Sequence, residues 1–161
     1  MEFYMIQTIM GLIGSVGFAI LFGVYDRKLI WIALGSAAGW VVYLVCVAHG
    51  YGMFVGLFAA SFFVAVLSEL LARIIKTPVI LMLVPMLIPE IPGGDLYYTM
   101  QHLVRGEYVQ FGNFSNRVMI EAGAIALGII LASYAAKLVR AVGTHGPLLS
   151  RKDNKEKRNR E

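Results

Sequence analysis

Chemistry in this chain concentrates in residues 83–94, Leu-Val-Pro-Met-Leu-Ile-Pro-Glu-Ile-Pro-Gly-Gly, where three prolines, a carboxylate and a glycine pair interrupt apolar sequence. A proline lacks the helical N–H, and its ring collides with the carbonyl four residues earlier. Pro85, Pro89 and Pro92 should therefore free the carbonyls of Leu81, Pro85 and Ile88. In hydrocarbon such groups persist only where protein or a wet cavity covers them. Freed carbonyls can hold an ammonium group or a cation, and the N–H groups of a helix opening after Gly93-Gly94 can face a carboxylate. An amino acid would satisfy both ends. Glu90 and Asp95 are the carboxyls placed to carry a coupling proton. Each also has a plain structural explanation. Glu90 near the outer end of the segment can be a solvated rim residue, and Asp95 can be the N-cap of a short helix over 96–104. The substrate-path candidates are Pro85, Pro89, Glu90, Pro92, Gly93, Gly94, Asp95, Tyr97 and Tyr98.

Elsewhere the acidic groups in apolar runs have basic neighbours. Glu69 has Arg73 four residues on, and Glu121 has Arg117 four residues before it and sits near a helix N-terminus, so both read as structural pairs. A proton relay, if present, would draw on Glu69, Glu90 and Glu121. Gln7, Ser61, Ser68 and Ser133 read as interhelical hydrogen-bonding groups. His49, His102 and His145 show no metal-ligand spacing and Cys46 is the single cysteine, so no metal, cofactor or disulfide framework is expected. No phosphate loop, nucleophile elbow or paired metal-binding helix motif is present, and no catalytic residue is assigned. The remaining enzymatic alternative is action on a lipid headgroup through Glu90 or Asp95.

The elements that must position these residues are membrane helices. Apolar residues make up 58% of the 161 and charged residues 15%, the charges crowding into short stretches and the C-terminal tail. This composition marks an all-α, polytopic helix bundle. Residues 3–24, 29–48, 53–75 and 117–140 each provide about 20 residues or more, enough to span. Residues 78–92 provide about 15, or about 22 Å of helix against a core of about 30 Å. The fourth element is thus expected to be broken, two half-helices over 78–104 joined at the glycines, followed by a polar loop over 110–116. With the N-terminus outside, all of the 14 Lys and Arg residues except Arg105 and Arg117 fall on the cytoplasmic side. That gives five spans, a membrane domain over 1–141 and a basic cytoplasmic tail over 142–161 that attracts anionic lipid, with 151–161 disordered. Tyr25 and Trp31 suit an inner aromatic belt, and Tyr4 and Tyr51 an outer one. Nothing points to nucleic acid as a partner.

Small residues form stripes: Gly11, Ser15 and Ala19; Gly35 and Gly39; Ala124, Gly128, Ala132 and Ala136. Such stripes let helix backbones approach, within the bundle or across an interface with another chain. Several of them in a five-span unit, small for alternating access, suggest a second copy or a companion subunit.

The segments from Ser15 (Ser-Val-Gly-Phe-Ala-Ile-Leu-Phe), from Leu34 (Leu-Gly-Ser) and above all from Val84 (Val-Pro-Met-Leu-Ile-Pro-Glu-Ile-Pro-Gly-Gly-Asp-Leu-Tyr-Tyr-Thr-Met) resemble the small, YjjB-like subunit of the threonine/serine exporter family. The resemblance covers residues 8–140. It implies a unit similar to the C-terminal membrane half of a longer exporter, paired with a larger subunit, and export of threonine and serine or, in another branch, of a small dicarboxylate such as succinate, driven by a proton or ion gradient. Glu90 departs from the apolar residues expected between such prolines. The expectation is a multi-pass protein of the cell inner membrane serving as one component of a small-solute exporter; the alternative is a non-transporting assembly or regulatory subunit.

Overall fold

The computed structural model describes the backbone of residues 2–158 and the side chains of residues 5–141. Six α-helices account for it: α1 (Glu2–Leu21), α2 (Lys28–Ala48), α3 (Gly52–Ile75), α4 (Val79–Met86), α5 (Gly93–Val104) and α6 (Tyr108–Arg158), with a 3₁₀ turn at Ile88–Glu90 between α4 and α5. The protein is an all-α, multi-pass bundle. Three helical stretches, Lys28–Ala48, Gly52–Ile75 and Tyr108–Ala141, are long and apolar enough to cross a membrane, and Met5–Leu21 is a shorter apolar helix. α3 is the central one, with 44% of its apolar window buried against 22% for α2 and α6.

Turn chemistry sets the boundaries. α3 ends where Lys76 turns left-handed (φ 54°), and its successor Thr77 donates its N–H to Ala72 O at 3.0 Å just before Pro78. α5 ends at a reversal through Gly106 (φ 73°), a conformation that a side chain disfavours. Several expectations need correction. Residues 110–116 are not a loop but the opening turns of α6, because Phe111 and Phe114 give them an apolar face to set against α5. The charged tail continues α6 as far as Arg158, its Lys, Arg and Glu residues being good helix formers. Residues 159–161 and the Tyr4 side chain lie outside the described residues.

Packing follows from the small-residue stripes. Ser15 and Ala19 of α1, Gly35, Ser36 and Gly39 of α2, and Ala124, Gly128 and Ala132 of α6 are all buried within the bundle. α6 lies along α3 so closely that a methyl at Gly128 would meet Ser61 Oγ, Phe58 O (2.8 Å) and Phe62 N (2.9 Å). Further along, Glu69 of α3 meets Arg140 of α6, so the two helices run side by side in the same direction. The chain between them must therefore return from the Lys76 end of α3 to the Tyr51 end, and α4, the 3₁₀ turn and α5 make that journey. α4 and the turn pack among α1, α2 and α3, whereas α5 packs on α6. From Ser61 to Gly52 is about 14 Å of helix and from Gly128 to Tyr108 about 30 Å, at 1.5 Å per residue. The α5–α6 hairpin thus projects about 16 Å past the Tyr51 end of α3.

A buried carboxylate in the proline break

The break is built where a helix would otherwise run on. Pro85 lies inside α4 and is fully buried, and α4 closes with Leu87 donating its N–H to Leu83 O (3.1 Å) and Val84 O (3.2 Å). Pro89 then occupies the 3₁₀ turn, where Glu90 N–H bonds to Leu87 O at 2.9 Å and Ile91 N–H to Ile88 O at 3.3 Å. The Ile88 carbonyl, expected to be free, is thereby taken up by the tighter i to i+3 pattern of the turn. Ile91 is extended (ψ 127°), as the residue before a proline should be, and Pro92 precedes the first turn of α5. Gly93 donates its N–H to Ile91 O at 2.7 Å, and neither Gly93 nor Gly94 has atoms within 4 Å of where a Cβ would project.

Glu90 is no rim residue. It is 3% exposed, and neither carboxylate oxygen has a hydrogen-bond partner among the described residues. Glycines make room for it. A methyl on Gly39 of α2 would lie 2.8 Å from Glu90 Oε1 and would also collide with Val64 of α3, while a methyl on Gly11 of α1 would lie 3.0 Å from Pro89 Cβ. Gly11, Gly39 and Val64 all fall near the middle of their helices, so the carboxylate sits at half height in a cradle of three helices. One turn toward the Lys28 end of α2, the Ser15 and Ser36 hydroxyls meet at 2.7 Å, and Met86 fills the hollow over Gly35. The depth of Glu90 depends on which glycines face it, and spacing along the chain does not reveal that.

Asp95 is not the N-cap of α5. The helix starts at Gly93, which puts Asp95 in the first turn with no side-chain cap bond formed, and its carbonyl accepts Thr99 Oγ1 at 2.7 Å. Tyr97 and Tyr98 are exposed, the Tyr98 ring 5.4 Å from that of Phe114. His102 stacks on Phe114 at 5.2 Å and joins Glu107, closing the hairpin.

The other two acidic candidates part company. Glu69 is held as expected by Arg73 (3.5 Å) and also by Arg140 (2.5 Å) from α6, which spacing along the chain could not reveal. Glu121 does not pair with Arg117 as expected. The guanidinium sits 6.0 Å from the centroid of Phe114, and Glu121, 6% exposed, keeps Oε2 buried without a partner among the described residues. It lies within electrostatic reach of Asp95 on α5 and Tyr43 on α2, and of Arg117 itself although the two form no close ion pair. Gly128 lies beside Phe58 and Phe62 and Glu121 is two turns before it on α6, so Glu121 stands about 15 Å nearer the Tyr51 end of the bundle than Glu90, which lies beside Val64. Trp40, its ring 4.9 Å from Tyr43, buries an Nε1 that also lacks a partner among the described residues. His49 bonds the Val45 carbonyl at 2.8 Å. No group of His, Cys, Asp or Glu among the described residues could hold a metal ion.

Orphaned polar groups inside an apolar bundle, beside a turn built on prolines, mark this region as the candidate functional site. Neither a curated protein nor a solved structure matches the chain. Residues 7–135 match the model of the family described as Threonine/Serine exporter, ThrE, and the chain belongs to that family.

Proposed function

We propose that this chain is a membrane subunit of a secondary exporter of small carboxylate solutes, threonine and serine foremost, driven by a proton or ion gradient. The observation that carries the reading is Glu90, buried at half height beside the prolines without a partner among the described residues. An unpaired charge at such a position costs a few kcal/mol or more, a burden that a merely structural turn would shed by using an apolar residue. Glu121, about 15 Å nearer the Tyr51 end by the register of α6 on α3, is the second station on the proton route. Glu69, held between two arginines, ties α3 to α6 instead.

In this reading α4, the turn and α5 form a broken fourth span, so the chain crosses five times with its N-terminus outside and its C-terminus in the cytoplasm. The parallel run of α3 and α6 supports it, as does the concentration of Arg27, Lys28, Arg73, Lys76, Lys137 and Arg140 at one end of the bundle. From Val79 to Glu90 the chain rises about 16 Å, half of a core of about 30 Å, which supports a place for Glu90 near the bilayer midplane. Exposed Tyr25 and Trp31 at one end and Tyr51 at the other suit the two interfaces. A larger subunit of the same family, or a second copy, covers the projecting α5–α6 hairpin, whose Tyr97, Val104, Tyr108 and Val109 are exposed.

The test is flux from vesicles holding this chain, alone and with a companion subunit, loaded with labelled threonine, serine or succinate. Gradient-dependent efflux is expected, lost in Glu90→Gln and sharply reduced when Pro89 and Pro92 are both alanine. No flux in either preparation removes the transport reading. Undiminished flux after both proline replacements shows that the break is not part of the path.

A further inference from the structure

The surroundings of Glu90 deepen that reading and rest on it: we propose that this carboxylate is the shared seat of the coupling proton and the substrate's ammonium group, each excluding the other. The elements packed against its turn are α1, α2, α3 and α4. Among the described side chains, α1 and α4 carry no charged residue. On α2 the titratable groups are Lys28, at the far end about 16 Å along the helix, and Tyr43 and Cys46, toward the other end. On α3 they are Glu69 and Arg73, which pair with each other, and Glu69 also binds Arg140. Among the described residues no fixed cation reaches Glu90.

An ionised carboxylate in that setting needs a mobile positive charge. Two kinds can neutralise it: a proton on the oxygen, with the turn packed as it stands, or an alkylammonium, for which the turn must draw back from Gly39 and Val64, since even a methyl at Gly39 collides with both. With one carboxylate, the two compete. When the amino acid arrives, the O–H bond of the Glu90 carboxyl breaks, its electron pair stays on the oxygen, and the proton leaves to water as the ammonium takes its place. The reverse exchange discharges the solute on the other side. Since the bound solute is a zwitterion, each complete cycle carries one solute out and one proton, with its charge, in. The same reasoning selects the substrate class: an amine-bearing solute neutralises Glu90, whereas a dicarboxylate would add negative charge to a carboxylate that already lacks a partner.

The experiment is calorimetric titration of the full chain in lipid nanodiscs with L-threonine over about pH 5 to 9, in buffers of different ionisation enthalpy that count protons released. On the acid side, apparent affinity should fall tenfold per pH unit with one proton released per threonine bound, and at alkaline pH both effects should vanish. Threoninol, which keeps the ammonium and lacks the carboxylate, should compete; 3-hydroxybutyrate and succinate should not. Glu90→Gln should abolish proton release and weaken threonine binding about 30-fold or more. Glu90→Asp should keep the release. Proton counting on the native chain does not depend on how well a variant folds. Threonine binding without proton release, binding of succinate in preference to threonine, no threonine binding at any pH, or release that persists in Glu90→Gln each overturns the shared seat. Gradient-driven threonine flux combined with any of these leaves the exporter reading standing, while absence of flux for every solute removes it.

Discussion

Replacing Gly39 by alanine separates the role of the glycine in packing from its role in holding Glu90. The added methyl would lie 2.8 Å from Glu90 Oε1, where ordinary contact begins at 3.4 Å, so the carboxylate must retreat by at least 0.6 Å. The same methyl collides with Val64 of α3, a fully buried side chain. Overpacking of this kind costs about 1–3 kcal/mol. Val64→Ala removes one collision but not the other. Gly39→Ala with Val64→Ala should therefore recover stability, the double variant being about 1–2 kcal/mol more stable than the sum of the single effects. Transport should not recover, because the methyl still occupies the place of Oε1. Unfolding in mixed micelles, followed by the fluorescence of Trp31 and Trp40, reads the first quantity; vesicle efflux of labelled threonine reads the second. If Gly39→Ala is as stable as the parent and exports at the parental rate, α2 does not meet the proline turn at Gly39 and the account of Glu90 fails with it.

Gly128→Ala should destabilise more than Gly39→Ala, by about 2 kcal/mol or more, since two of its contacts are α3 backbone atoms that no side-chain replacement can move; Gly123→Ala, which meets nothing within 4 Å, is the matched control in the same unfolding assay. Ser15→Ala removes a hydroxyl lying 2.7 Å from Ser36 Oγ and 2.9 Å from the Gly11 carbonyl, and should cost about 0.6 kcal/mol and at most about 1.7. Adding Ser36→Ala should cost almost nothing further, as the orphaned hydroxyl goes with it. Arg140→Ala should lower stability by about 1 kcal/mol or less and do so less at high salt, because its side chain is 52% exposed and Arg73 still serves Glu69.

What the sequence made legible was what depends on neighbours along the chain. The apolar runs of α2, α3 and α6, the Glu69–Arg73 pair, and the interruption by Pro85, Pro89 and Pro92 are of this kind. Asp95 missed its expected place by a small margin, because α5 starts at Gly93 rather than after the glycine pair and a side chain in the first turn is past the capping position. What stayed hidden depends on contacts between distant segments. Arg140 reaches Glu69 across 71 positions, and the depth of Glu90 is set by Gly11 and Gly39, which by spacing alone are equally good for any close helix contact. Residues 110–116 looked like a loop because Gln110, Asn113 and Asn116 are polar. Their helix is held from outside, through Phe114 against Tyr98 and His102.

The fate of the small residues bears on how this chain meets another. Glycine and serine stripes were the features that suggested a seam between subunits, yet within the bundle each already has an occupant: Pro89 on Gly11, Met86 on Gly35, Glu90 on Gly39, Ser61 on Gly128. A backbone already in contact cannot be approached again. The stripe glycines are therefore closed to a partner, which is left the open glycines, Gly17 and Gly123 among them, and larger side chains, abundant on the outer face of α1, where Met5, Ile6, Ile9, Met10 and Ile13 are exposed, and on the projecting α5–α6 hairpin. Lipid covers the first as well as protein does, because hydrocarbon is as apolar as those side chains. The hairpin differs, since about 16 Å of it stands beyond the end of α3 with Val104, Tyr108 and Val109 exposed, and under the proposed topology that stretch leaves the hydrocarbon that solvates α1. The gain from covering apolar surface is thus concentrated on α5 and the start of α6, the elements that follow Glu90 along the chain, and under the proposed topology a subunit docked there would sit across the outer route to the carboxylate.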